Sequence, residues 1–110
     1  MAQCTKMNIR MTYAIQMACA LGNVGRHQEA HFFATEAVEL ATACHGPESE
    51  PALIYMHTHA GLLISAGQVH EGIAMLTHVL ATQRRVLGAD HVSTRDTKRF
   101  LDAMSAAVGA

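Results

Sequence analysis

The sequence predicts an all-α protein, a stack of antiparallel helix pairs with about five helices. Half of the 110 residues are hydrophobic, Ala, Leu and Met favour helix, and only two prolines interrupt the chain. Two short turns contain Gly25 and Gly67, which lie 42 positions apart, and the same spacing separates Glu29 from Glu71. A fixed period of helix pairs is typical of a solenoid, because no single pair buries its apolar face alone.

Apolar residues at three- and four-residue spacing predict the first two helices, over about 5–21 and 27–44. The stripe of the first helix comprises Met7, Met11, Ala14, Met17, Ala18 and Leu21. The buried face of the second comprises Ala30, Phe33, Ala34, Ala37, Val38, Ala41 and Cys44. The run His45-Gly46-Pro47 is expected to end the second helix.

The third and fourth helices are predicted over about 51–65 and 69–87. Pro51 suits the first turn of the third helix, with Ser49 as its cap, and Gly88 ends the fourth. The residues expected to face inward on the third helix are Leu53, Met56, Ala60 and Leu63, flanked by Leu62 or Ile64. Those on the fourth are Ile73, Leu76, Val79, Leu80 and Val86.

The fifth helix is predicted from Ser93-Thr94-Arg95-Asp96, which is similar to a capping box. Its polar face should serve as a C-terminal cap of the stack, since solenoids need polar ends. That face comprises Arg95, Lys98, Arg99 and Asp102, and the apolar residues are Phe100, Leu101, Met104 and Val108. On the first helix, apolar residues are spread around several faces, so we expect exposed apolar surface there.

Shifting the chain by 42 residues brings identical residues together at turns and inward positions. The aligned identities include Tyr13 with Tyr55, Ala18 with Ala60, Leu21 with Leu63, and Gly46 with Gly88. We therefore expect one domain over residues 1–110, with repeat 1 at about 5–45, repeat 2 at about 50–88 and a capping helix at about 93–108.

The sequence around the second turn resembles the tetratricopeptide repeat. The matching residues are Ala60, Leu63, Gly67, Glu71, Gly72, Leu76 and Val79, and a similar set begins at Ala18. The 42-residue period and the run Leu87-Gly88-Ala89-Asp90-His91 resemble the longer repeats of kinesin light chains. The resemblance covers about residues 8–105 and implies a right-handed superhelical stack. The C-terminal helical domain of SET-and-MYND methyltransferases looks similar too.

The resemblance implies a concave groove lined by the first helix of each repeat. By repeat position, that groove would present Thr12, Gln16, Cys19, Asn23, Ile54, His57, Thr58 and Arg99. The paired Asn of kinesin-type repeats are absent, since the matching positions hold Ile15-Gln16 and His57-Thr58. The Lys and Asn that clamp a carboxylate in chaperone-binding relatives are missing as well, so neither ligand is carried over.

The function expected from this resemblance is that of a protein–protein interaction scaffold. It would bind a peptide or partner helix in the groove, or form a homo-oligomer through exposed end helices. An alternative is a helical accessory domain of a larger enzyme such as a SET/MYND-type methyltransferase. A SET domain upstream in the full gene product would decide between these alternatives.

Composition excludes other classes of partner. A net charge of −1 argues against binding nucleic acid, and no run of 18 apolar residues predicts a membrane span. Three cysteines, an odd number without a Cys-x-x-Cys pair, indicate reduced thiols and a cytoplasmic protein.

The sequence predicts neither catalysis nor a cofactor. No Ser or Cys lies in a nucleophile elbow, and no Gly-rich loop follows a strand, so we expect no enzyme and no catalytic residue. Among eight histidines, His27 and His31 form an i, i+4 pair that could hold a metal, but the sequence places no third ligand. We therefore expect no metal site, and His59, at an inward position, should be a hydrogen-bonded or half-buried filler.

Overall fold

A computed structural model describes residues 2–109, with the side chains of residues 6–107. The helices are α1 (Ala2–Asn23), α2 (His27–His45), α3 (Glu50–Ser65), α4 (Val69–Val86) and α5 (Val92–Gly109). Each helix packs on the next in chain order, and none of residues 2–109 lies in a strand. The predicted all-α stack of helix pairs is confirmed. The side chain of Val108, predicted to be apolar contact, lies outside the described side chains.

The two short turns have the same geometry. Gly25 and Gly67 have φ angles of 84° and 91°, in the left-handed region that glycine adopts without steric cost. The backbone N–H of Arg26 donates to the carbonyl of Leu21 at 2.9 Å, and that of Gln68 donates to Leu63 at the same distance. These hydrogen bonds satisfy carbonyls at the ends of α1 and α3. The 42-residue period is therefore present in the backbone as well as in the sequence.

The helix starts agree with the sequence at α3 and disagree at α5. Ser49 Oγ accepts a hydrogen bond from the backbone N–H of Ala52 at 3.3 Å, as predicted for the cap of α3. The capping box predicted at 93–96 is wrong, because α5 already begins at Val92. His91 Nδ1 accepts from the N–H of Ser93 at 3.1 Å and satisfies a donor of the first turn.

One predicted inward residue of α4 is also wrong. Val86 is 45% exposed, whereas Leu76, Val79 and Leu80 are buried as expected. Val86 is the last residue of α4, just before the turn at Gly88, so α5 does not cover it. No helix in the described part of the chain is long and apolar enough to cross a membrane.

Small residues dominate the core and let neighbouring helices approach closely. More than half of the buried apolar residues are alanines, namely Ala14, Ala18, Ala30, Ala34, Ala37, Ala41, Ala52 and Ala60. The closest approach involves Gly72 on α4. A Cβ atom at Gly72 would lie 2.8 Å from the backbone oxygen of Ala60 and 2.5 Å from Ile64 Cγ1. The contact between α3 and α4 therefore leaves no room for a side chain at position 72.

The contact between α4 and α5 is polar, unlike the equivalent contact one repeat earlier. Its buried residues include Thr82, Gln83, Thr94 and Thr97, whereas the positions 42 residues earlier hold Leu40, Ala41, Ala52 and Tyr55. Thr82 and Thr97 donate their hydroxyls to backbone carbonyls four residues earlier. Thr94 Oγ1 and Gln83 Oε1 are buried without a hydrogen-bond partner. An unpaired buried polar group destabilises a fold, so α5 is bound less strongly than a fully apolar helix.

We expect Gly72→Ala to lower the free energy of unfolding by about 1–2 kcal/mol. The added methyl would force α3 and α4 apart at the backbone of Ala60, which outweighs the higher helix propensity of alanine. Gly61→Ala on α3 is the matched control, because a Cβ there meets nothing within 4 Å and should stabilise the fold by up to about 1 kcal/mol. Urea unfolding followed by circular dichroism measures both; equal effects would contradict the close contact.

We expect Thr94→Val to raise the free energy of unfolding by about 1 kcal/mol. The two side chains have the same shape, and the substitution removes a buried hydroxyl that has no partner. Thr97→Val is the control at the same contact, because its hydroxyl donates to the carbonyl of Ser93 and its loss should not stabilise the fold. Chemical unfolding of the three proteins tests this; a destabilised Thr94→Val variant would show that the hydroxyl is paired in solution.

Candidate partner-binding cleft

A cleft of about 350 Å³ lies between α3 and α5, with α4 beneath it. These helices contribute complementary parts of its lining, since α3 and α5 supply the two sides and α4 supplies one residue. The lining residues are Ile54, His57, Thr58 and Gly61 from α3, Gln83 from α4, and Ser93, Asp96 and Phe100 from α5. No Lys or Arg is among them.

The rings of His57 and Phe100 connect the two sides of the cleft. Their centroids are 5.5 Å apart and their planes differ by 27°, so the rings stack. Burial lowers the pKa of His57, and the nearby Asp96 carboxylate opposes this effect. His57 is therefore neutral at neutral pH, and the stacked rings form an apolar surface beside the charged Asp96.

The remaining α3 residues leave open space and oxygen acceptors. The Thr58 hydroxyl donates to the carbonyl of Ile54 at 3.1 Å, which leaves its lone pairs available to accept. Ile54 is 45% exposed, an apolar side chain without full cover. At Gly61, no atom lies within 4 Å of where a Cβ would be, so glycine keeps that part of the cleft open.

The structure brings together only some of the residues predicted for the groove. Ile54, His57 and Thr58 line the cleft. Arg99 is exposed on α5 with Val92, Arg95 and Asp96 and is not among the lining residues. Four others, Thr12, Gln16, Cys19 and Asn23, are exposed on α1 and contribute nothing to the cleft.

Sequence reasoning missed most of the far side of the cleft. Asp96 and Phe100 lie 42 positions after Ile54 and Thr58, so extending the repeat register into the fifth helix would have found them. Gly61 lies 42 positions after Cys19 and could have been found in the same way. Gln83 gave no such signal, because it lies on a second helix and its equivalent is Ala41.

A second cavity, of about 400 Å³, contains a pair of histidines. It is lined by His27, Gln28, His31, His59, Leu62, Leu63, Ala66, Gln68 and Glu71. His59 Nε2 lies 2.9 Å from His31 Nδ1, and His59 is only 6% exposed. The prediction of an inward, hydrogen-bonded His59 is confirmed. Among the described residues, no group of three or more His, Cys, Asp or Glu could hold a metal ion.

Helix pairs that repeat every 42 residues, with matched glycine turns, define the class of helical-repeat proteins. Residues 53–93 match the family model of the tetratricopeptide repeat, from α3 through α4 to the first residues of α5. The chain is a tetratricopeptide repeat protein. Repeats of this family generally mediate protein–protein interaction and are typically non-catalytic scaffolds. Searches of curated proteins and of solved structures found no match. The likeness to kinesin light chains stays a prediction.

We expect stability to fall by about 2 kcal/mol between pH 6.5 and pH 4 because of His59. Burial, and then the nearby His31, lowers the pKa of His59 from 6.5 to about 4. The unfolded chain therefore takes up this proton first, so the contribution is complete above pH 6.5 and is lost as the pH falls towards 4. Urea unfolding at a series of pH values measures the loss.

His59→Met should remove this part of the pH dependence, because methionine fills an inward position without titrating. His70→Ala is the control, since His70 is exposed on α4 and its removal should leave the slope near that of the wild type. A His59→Met variant with an unchanged pH profile would contradict the assignment to His59.

Proposed function

We propose that this protein is an interaction scaffold that binds an extended peptide or a partner helix through the groove formed by the first helices of its repeats. The cleft between α3 and α5 is the central site of that groove. The observation that carries this proposal is the meeting of Ile54, His57 and Thr58 with Asp96 and Phe100 across one open cavity.

The chemistry of the cleft fits a segment of polypeptide. A cavity of about 350 Å³ accommodates one or two side chains, and its stacked rings and Ile54 offer apolar contact. Asp96 and the Thr58 hydroxyl supply polar contacts at the same place. Exposed Thr12, Gln16 and Asn23 would extend the binding surface along α1.

Self-association through the first helices is a second candidate, and a specific observation favours it. Ile9 on α1 is 69% exposed and Phe32 on α2 is 62% exposed, which confirms the expected apolar surface on α1. Between them, Arg10 pairs with Glu36 at 3.0 Å and lies over the ring of Tyr13. Sedimentation of the wild type and of Ile9→Glu would show whether a second copy covers this surface.

Other parts of the proposal rest on the sequence. They are the repeat boundaries at about 5–45 and 50–88, the capping role of residues 93–108, and a cytoplasmic location. The accessory role in a larger enzyme stays a prediction that a linked SET domain would support.

We expect Gly61→Leu to abolish groove binding while leaving the fold intact. The new side chain would fill open space in the cleft, and leucine has a higher helix propensity than glycine by up to about 1 kcal/mol. Peptides of 12 residues, selected from a displayed random library against the wild type, should bind the variant at least about tenfold more weakly, by loss of roughly 1.4 kcal/mol.

Ala81→Leu is the matched control, because it adds the same side chain to an exposed position of α4 that does not line the cleft. Its affinity for the selected peptides should equal that of the wild type, as measured by calorimetry. Peptides that bind Gly61→Leu as tightly as the wild type would show that the cleft is not their site.

A further inference from the structure

Gln83 is an unusual residue at the base of the α3–α5 cleft. It is only 2% exposed, its Oε1 atom has no hydrogen-bond partner, and it is one of the residues that line the cleft. Thr94 Oγ1 also lacks a partner, but Thr94 does not line the cleft. Gln83 therefore combines deep burial, an unused hydrogen-bonding group and contact with an open cavity.

Packing of the stack does not require a polar side chain at position 83. The equivalent residue one repeat earlier is Ala41, which is fully buried and fills the same helical position. A buried amide without a partner lowers stability, because folding removes it from water and returns nothing. A group that the fold does not need, and that the fold leaves unpaired, points to a ligand as its partner.

We propose that the side-chain amide of Gln83 hydrogen bonds to a peptide group in the main chain of an extended partner segment. This inference rests on the proposed function and specifies which residue recognises the ligand. A half-turn about the last side-chain bond exchanges the oxygen and nitrogen of the amide, so Gln83 presents either an acceptor or a donor to the cleft. A peptide group offers the complementary donor and acceptor.

The surroundings of Gln83 favour a neutral main-chain group over a charged one. No Lys or Arg lines the cleft, and Asp96 on its edge repels a carboxylate. A partner helix bonds its own N–H and C=O groups internally, so an extended segment supplies free peptide groups and a helix interior does not. Of the two ligands in the proposed function, this residue selects the extended peptide.

The test combines an ester scan of a selected peptide with the Gln83→Met variant. Each peptide bond of a 12-residue library-derived binder is replaced in turn by an ester, which removes the N–H donor and weakens the carbonyl acceptor. In the wild type, one ester should lower the affinity about three- to tenfold, as expected for a net hydrogen bond. The same ester should make no difference in Gln83→Met, since the side-chain partner is absent.

Gln83→Met should melt at or above the temperature of the wild type, because it removes an unpaired buried amide. Thr94→Val is the matched control, which removes the other unpaired group of the same helix contact and should keep the full ester effect. A purely structural Gln83 would give equal ester effects in all three proteins, and that result would overturn the inference.

The failures of the two proposals give different results. Peptides that Gly61→Leu blocks, but whose ester scan does not depend on Gln83, would leave the groove intact and overturn only the role of Gln83. A library without any binder that Gly61→Leu blocks would overturn both the groove and the role of Gln83.

Discussion

The close contact between α3 and α4 at Gly72 is the constraint from which the rest of the second repeat follows. Because a Cβ at this position would lie 2.8 Å from the backbone oxygen of Ala60, the two helices approach at backbone distance. The turn at Gly67 then has to be short, and its left-handed glycine permits this. With α3 held in this way, its Ile54, His57 and Thr58 side is left facing α5, where the cleft forms.

The fifth helix differs from the two that precede it in the same register. Positions that hold Leu53, Met56, Ala60 and Leu63 in α3 hold Arg95, Lys98, Asp102 and Ser105 in α5. In α3 three of these four residues are buried, and in α5 all four are exposed. The side of α5 that faces α4 is polar too, with Thr94 and Thr97 buried. The last helix is therefore adapted to solvent on one side, and its attachment to the stack is energetically modest.

Most of the fold could be predicted from the sequence, because periodic apolar residues and glycine turns are local signals. Four of the five helices begin within a few residues of their predicted starts for that reason. The start of α5 was wrong because His91 replaces the Ser or Thr expected at a cap. The His31–His59 contact joins residues 28 positions apart on different helices, and no periodic pattern reports such a pair. Within the cleft, register alone located the α3 residues, whereas the unpaired amide of Gln83 required coordinates.

The most direct test of the account is a map of where a selected peptide binds. Backbone amide chemical shifts of the isotope-labelled chain, recorded during titration with the peptide, give this map without any substitution. The account predicts that the largest changes cluster at residues 54–61 of α3 and 92–100 of α5, together with the side-chain amide of Gln83. Changes confined to α1 and α2, around Ile9 and Phe32, would contradict the account and identify the exposed end of the stack as the binding surface.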